Sequence, residues 1–232
     1  MTTIAVLGAG QAGSTFARVA IAAGYDIVIA NSRGPQTLKD LVAQLGPRAR
    51  AATAADAAAE GDFAFAAFRY APHDSLPVEE LAGKVVLDNN NYMIWRDGNH
   101  PEVDSGLKTV HELRQEQLPT SKVAKAFSHI QFHPRFQIRV PSDALPALIR
   151  LARPAGAPDR TALVVSSDHP DAVGLVTGLY DELGFDAVDN SPLSESWRSA
   201  PGTPMWRHIV DGQSREELIR NLQRAARHTP AG

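Results

Sequence analysis

Thr3-Ile4-Ala5-Val6-Leu7-Gly8-Ala9-Gly10-Gln11-Ala12-Gly13 opens the chain with an apolar run that ends in glycines spaced G-x-G-x-x-G. Thr3–Leu7 has the composition of a strand buried on both faces of a parallel sheet. The glycines then take separate tasks. Gly8 permits the tight turn out of the strand, Gly10 lets the backbone approach a pyrophosphate, and Gly13 lets the following helix lie close to the strand. A helix is predicted from Gln11 to Ala23, with Gly24 as its stop. Its free amides and positive end would face the phosphates of a dinucleotide.

The next strand, Asp26–Ala30, ends in Asn31-Ser32-Arg33. A chain that binds NAD usually carries Asp or Glu there, bonded to the ribose 2′-hydroxyl. Here Asp26 lies at the wrong end of the strand. Arg33 can pair with a 2′-phosphate and Ser32 can donate to it, so NADP(H) is the expected cofactor.

Beyond this point strand and helix signals alternate. A helix follows Pro35 with apolar positions at Leu38, Leu41, Val42 and Leu45. Short strands are predicted at Ala49–Thr53, Phe63–Phe68, Val85–Asp88 and Lys122–Phe127, with an Ala-rich helical turn at Asp56–Glu60. The fold class is α/β: a Rossmann-type doubly wound, mostly parallel sheet with a small C-terminal α/β subdomain. The division is placed at residues 1–140 and 141–232, within the proline-rich Pro134–Pro158 stretch. The C-terminal part reads as a strand at Thr161–Ser166, a helix from Pro170 to Leu183, a strand at Phe185–Val188, and a last helix to about Arg227. That last helix opens with the capping box Ser214-Arg215-Glu216-Glu217. Asn89–Asp104, polar and carrying Tyr92 and Trp95, reads as a long functional loop.

Composition removes whole classes of function. The chain has 232 residues, 44% hydrophobic and 21% charged, with 23 Lys+Arg against 26 Asp+Glu and a formal charge of −3. That is a globular balance, and no block of like charges offers a nucleic acid a footprint. There is no cysteine, which removes disulfides, thiolate metal sites and a thiol nucleophile. No segment has the order of a signal peptide or the length of a membrane span, so a cytoplasmic protein with no membrane partner is expected.

Few residues offer acid–base chemistry. His129 and His133 stand four apart, but Pro134 and the preceding strand deny them a helix face, and no H-E-x-x-H occurs; no metal is expected. His129 is placed near a strand end, within reach of the nicotinamide side of the cleft. His73 follows another strand end, where it lines the cofactor site or caps the next helix. Asp88-Asn89-Asn90-Asn91 ends a third strand, as amides holding the cofactor or as an ordinary turn. No G-x-S-x-G and no carboxylate pair is readable. Hydride transfer needs neither, only two rings held face to face in a dry site.

Val6–Gly13, Asn31-Ser32-Arg33, Val123-Ala124-Lys125-Ala126-Phe127-Ser128-His129-Ile130, Ser167-Asp168-His169-Pro170 and Gly184–Trp197 together resemble the NADP-dependent oxidoreductases related to the coenzyme F-420-dependent NADP reductases. The resemblance implies NADP held at the pyrophosphate by Gly10, Gln11 and Ala12 and at the 2′-phosphate by Ser32 and Arg33. Thr37 stands where those reductases tend to carry a further basic residue. Phe68, Asn89 and Ala126, at strand ends, would line the cofactor. The resemblance also implies a homodimer and a deazaflavin, coenzyme F-420, as hydride partner. The Asn89–Asp104 stretch is longer than the corresponding loop of those reductases and would reshape the second pocket. The competing expectation is a reductase of a small carbonyl or imine compound, with His129 or Tyr92 as proton donor. A non-catalytic NADP sensor is the third, and it would lack a second concave pocket.

Overall fold

The computed structural model describes residues 1–71, 75–133 and 145–227. Eight strands form one sheet: β1 (Thr3–Leu7), β2 (Asp26–Ala30), β3 (Ala49–Ala51), β4 (Phe63–Ala66), β5 (Val85–Asp88), β6 (Lys122–Lys125), β7 (Ala162–Ser167) and β8 (Asp186–Asp189). Their order is β3-β2-β1-β4-β5-β6-β7-β8. The first six run parallel. β7 pairs antiparallel with β6 through Ala124↔Ser167, and β8 pairs parallel with β7. The strand order reverses between β1 and β4, so their C-terminal ends frame the crevice in which open α/β sheets bind ligands. The proposed division at residue 140 falls outside the described residues.

Both sheet faces are covered because the central strands β1, β2 and β4 are apolar on both sides. On one face, α1 (Gln11–Ala22), α2 (Lys39–Leu45) and α8 (Pro170–Glu182) pack over Ile4, Val6, Ile29 and Phe65. Phe16 of α1 stacks on Phe65 with ring centroids 3.8 Å apart, and Phe127 meets both edge-on. The other face carries α3 (Ala54–Glu60), α6 (Val110–Gln117) and a 3-10 helical turn at Leu193–Ser199, packed over Ala5, Val28, Ala64 and Val123. Every strand side chain of β1 after Thr3 is thus buried, which is why the run reads as continuous rather than alternating.

Several predicted boundaries move, each for a local reason. β6 stops at Lys125 because Phe127 takes a left-handed φ of 55°. Two side chains hold it there: the Phe127 amide donates to Tyr180 Oη at 2.8 Å, and Asn89 Nδ2 donates to the Phe127 carbonyl at 2.7 Å. β4 ends at Ala66 rather than Phe68 and β3 at Ala51 rather than Thr53, where Thr53 instead caps α3 by accepting from the Asp56 amide. The Ser214–Glu217 capping box is present, and its helix, α9, runs over Arg215–Gln223. The Asn89–Asp104 stretch is not an open loop. It contains two single turns, α4 (Ile94–Asp97) and α5 (Pro101–Asp104). Asp97, with its side chain 4% exposed, accepts from the Met93 amide and from Arg96 and ties the first turn down. A short turn, α7 (Ala147–Arg150), precedes β7. No described helix is long and apolar enough to cross a membrane.

Candidate functional site

The glycine loop leaves β1 and enters α1 without a side-chain cap, since Gly10 itself is the N-cap. Its three glycines sit in different surroundings. Gly8 has φ +109°, and a Cβ there would lie 2.6 Å from the Ala67 carbonyl oxygen. A Cβ on Gly13 would lie 1.8 Å from the Gly8 carbonyl oxygen and 3.2 Å from Val6 Cγ1. A Cβ on Gly10 would meet no atom within 4 Å. The first two glycines serve the packing of the loop on the sheet. The third leaves open space at the amino end of a helix, where backbone amides are unspent and the dipole favours an anion.

Beside it a cleft of about 740 Å³ opens over the ends of β1, β2 and β4. Gly8, Ala9, Asn31, Ser32, Arg33 and Phe68 line it. Asn31 shapes the rim: its Oδ1 accepts from the Arg33 amide at 3.0 Å, and its Nδ2 donates to Thr37 Oγ1 at 2.9 Å. The Thr37 hydroxyl donates in turn to the Gly34 carbonyl. Ser32 and Arg33 are exposed at this rim. The far wall is Phe68, Arg69 and Tyr70, with Arg96 and Asp97 from the structured 89–104 segment.

A buried polar cluster, unread in the sequence, stands behind that wall. Asp88 at the end of β5 is fully buried, with Arg114 of α6 3.5 Å away and equally buried. Arg114 lies over the Phe68 ring, 4.6 Å from its centroid, and donates to the Arg69 carbonyl, so it braces the cleft wall from inside. Burial pushes the Asp88 carboxyl up, against the pull of Arg114. Lys125, paired in register with Asp88, is also buried and donates to the Ser196 carbonyl at 2.9 Å. Burial lowers its amine to about 7, with Asp88 opposing. The signal for α6 was present in the chain: Thr109-Val110-His111-Glu112 is a capping box, and both of its reciprocal bonds form.

Lys125 is the floor of a second cavity of about 660 Å³, on the side of the sheet that carries α6. Asn91, Tyr92 and Trp95 wall it from the segment after β5, and Ser196, Trp197 and Trp206 from the C-terminal turns. Trp95 is 79% exposed at its rim.

The structure separates the predicted site residues. Gly8, Asn31, Ser32, Arg33 and Phe68 line the cleft, and Gly10, Gln11, Ala12 and Gly13 form the helix entrance beside it. Thr37 is a loop-former and does not line the cleft. Ala126 is fully buried in the core, and Asn89 is spent holding Phe127; neither lines either cavity. His129 is not at the cleft. It is 3% exposed, and its Nε2 accepts from the Val164 amide at 2.8 Å, which makes it the link between the turn after β6 and strand β7. Burial, reinforced by the nearby Lys125 charge, lowers it to about 3, so the ring is uncharged at neutral pH, with Nε2 already engaged as an acceptor. Tyr92 does line the second cavity, but its hydroxyl donates to Asp104, and burial with that bond raises it to about 12. His73 lies outside the described residues. Among the described residues, no three His, Asp or Glu side chains form a group that could hold a metal ion.

Residues 3–92 match the profile of the family described as NADP oxidoreductase, coenzyme F420-dependent. Over this span, which carries both the glycine loop and Asn31-Ser32-Arg33, the chain is related to that family. A stretch of 53 residues, 23% of this chain, is 42% identical to protein YjhV of Escherichia coli (strain K12) and covers 39% of that protein's length. Among solved structures, protein SMa0349 of Sinorhizobium meliloti superposes with a TM-score of 0.65 at 28% identity, over 88% of this chain and 93% of that one. A candidate F420-dependent NADP reductase of Arthrobacter sp. FB24 gives 0.66 at 23% identity, over 84% and 87%. An imine reductase from Myxococcus stipitatus in complex with NADP+ gives 0.51 at 17% identity, over 84% of this chain and 56% of that one. The last two share the Rossmann fold with this chain, at identities where fold alone carries the comparison.

Proposed function

We propose that the chain is an NADP(H)-dependent oxidoreductase, exchanging a hydride between the nicotinamide and an acceptor, with the deazaflavin coenzyme F-420 as the first acceptor to try. The observation that carries the cofactor half is the open space at Gly10, set between two glycines that are packed tight. A turn that merely needed flexibility would not pair two crowded glycines with one that faces 4 Å of free volume. The cleft leads from there to Ser32 and Arg33, with no carboxylate at the end of β2. When bound, the cofactor supplies the hydride. The chain's part is to hold the pyrophosphate on the amides of residues 10–12, to take the 2′-phosphate on Ser32 and Arg33, and to wall the cleft with Phe68 backed by Arg114. The relation of residues 3–92 to the F420-dependent family supports the deazaflavin as partner.

A second reading, reduction of a small carbonyl or imine compound, is favoured by the second cavity, whose aromatic walls and single buried amine have the character of a small-molecule site. The same cavity counts against a pure sensor. The homodimer that the resemblance implies is part of the proposal and is read by light scattering after gel filtration. The deciding experiment is an anaerobic mixing assay with NADPH and oxidised coenzyme F-420, following both absorption bands. Prompt exchange supports the deazaflavin. Tight NADPH binding without exchange selects the small-molecule reading, and absence of NADPH binding overturns the proposal.

A further inference from the structure

The second cavity holds polar groups that the fold leaves unspent. Trp197 Nε1, a donor that can do nothing else, is buried without a partner among the described residues. Lys125 brings three donor protons to the floor, of which the Ser196 carbonyl takes one. Asn91 Oδ1, buried and unpartnered, adds an acceptor near the end of β5. Such groups cost free energy unless something meets them. Around them the walls are apolar and aromatic: Met93, Val103, Trp95 and Trp206. The cationic rim continues in Arg227, which lies 5.1 Å from the Trp197 ring centroid. Asp104, which accepts from Tyr92, is the carboxylate among the described lining residues, and Lys125, Lys108 and Arg227 outnumber it; Asp88, beside Lys125, is shared with Arg114 3.5 Å away.

We propose that this cavity binds a small aromatic monoanion, an aromatic carboxylate by class, with its ring between Trp95 and Trp206 and its anionic oxygens on Lys125 Nζ and Trp197 Nε1. The donors select an oxygen acceptor, the cationic floor selects negative charge, and the aromatic walls select a flat apolar body. A hydroxyl on the ligand would meet Asn91 Oδ1. Burial lowers the amine to about 7 against the pull of Asp88, and a bound anion would hold it in its charged, three-donor form. The proposal rests on the oxidoreductase reading only for its use, as the acceptor's seat; binding itself does not require NADPH.

The chain has three tryptophans, and Trp95, Trp197 and Trp206 all line this cavity, so intrinsic fluorescence reports on it directly. The probes are phenylacetate and, as its neutral counterpart, 2-phenylethanol. Phenylacetate should quench the emission saturably, and 2-phenylethanol should bind about tenfold more weakly, the weight of one charge-assisted contact. Lys125→Met should erase that preference. Trp197→Phe, which keeps the ring and removes the N–H, should weaken phenylacetate several-fold and keeps the test alive if Lys125→Met does not fold. Equal binding of the two probes, no saturable quenching, or an unchanged preference in a folded Lys125→Met protein overturns the proposal. NADPH affinity, measured separately from nicotinamide fluorescence, should be unchanged in both variants. Its loss in the wild-type protein would sink the oxidoreductase reading and leave the cavity's ligand standing.

Discussion

Substituting Gly13 and Gly10 of one turn separates its packing role from its binding role. In Gly13→Ala the new methyl would start 1.8 Å from the Gly8 carbonyl oxygen, about half of an ordinary contact distance. Relief by movement of Gly8 is blocked. Its amide is bonded to the Ala30 carbonyl at 2.9 Å, its φ is +109°, and the Ala67 carbonyl closes its other side. The clash is backbone against backbone, so the cost should reach at least the upper end of overpacking, about 3 kcal/mol. For a chain of this size that is a fall in Tm of roughly 6–12 °C. At Gly10 a Cβ meets no atom within 4 Å, and the backbone, with φ −77° and ψ −164°, is open to any residue, so Gly10→Val starts from free space. The loss of a favoured N-cap glycine and the gain from a stiffer unfolded chain oppose each other, each of up to about 1 kcal/mol. The variant should therefore melt close to wild type. Its side chain fills the space assigned to the pyrophosphate, so NADPH affinity should fall at least about a hundredfold. Thermal melts with and without NADPH, together with a nicotinamide fluorescence titration, read both quantities. A Gly13→Ala protein that melts with wild type would refute the packing argument. Wild-type NADPH affinity in Gly10→Val would refute the assignment of the loop.

Arg33→Ala should weaken NADP(H) by about 2 kcal/mol and leave NAD(H) almost unchanged; equal weakening in paired titrations would remove the 2′-phosphate assignment. Arg114→Met should destabilise the fold by about 3–5 kcal/mol in urea unfolding, because it strands the buried Asp88 carboxyl, and adding Asp88→Asn should recover much of that loss. A double variant no more stable than the single would place the cost in the packing of Arg114 on Phe68 instead. His129 is lowered to about 3 in the fold, so the unfolded chain takes up the proton first, and its contribution is lost as pH falls from about 6.5 toward 3. Between pH 7 and 5 this amounts to about 2 kcal/mol. His129→Gln should be less stable at pH 7 yet lose less on acidification, and parallel stability–pH curves would show that His129 is not the group responsible.

The parallel sheet and the glycine loop were legible because their signals are local. Thr3–Leu7 is apolar at successive positions, and Gly8, Gly10 and Gly13 stand within one turn of one another. The helix at Val110–Gln117 carries a local signal in Thr109 and Glu112, but its apolar positions are few and give it little periodicity inside a long polar stretch. The strand ends were less so. Lys122–Phe127 reads as one run, yet the conformation of Phe127 is set by Tyr180, 53 residues away, and by Asn89. No window of sequence contains that information.

The candidate site divides along the same line. The glycine loop at the mouth of the cleft and the cationic end of β2 were legible from residue order alone, because glycine spacing and side-chain charge act on neighbours along the chain. Only the tertiary structure decided what lies behind the cleft. Asp88, Arg114 and Lys125 are ordinary surface residue types in composition, and only the side-by-side pairing of β5 with β6 and the packing of α6 bury them together. His129 moved the other way, from a cleft position to the core, because β7 pairs with β6 and brings the Val164 amide to its ring. Burial is a property of what the rest of the chain does at a distance, and it is burial that sets one amine at the floor of a cavity and makes one imidazole a strut.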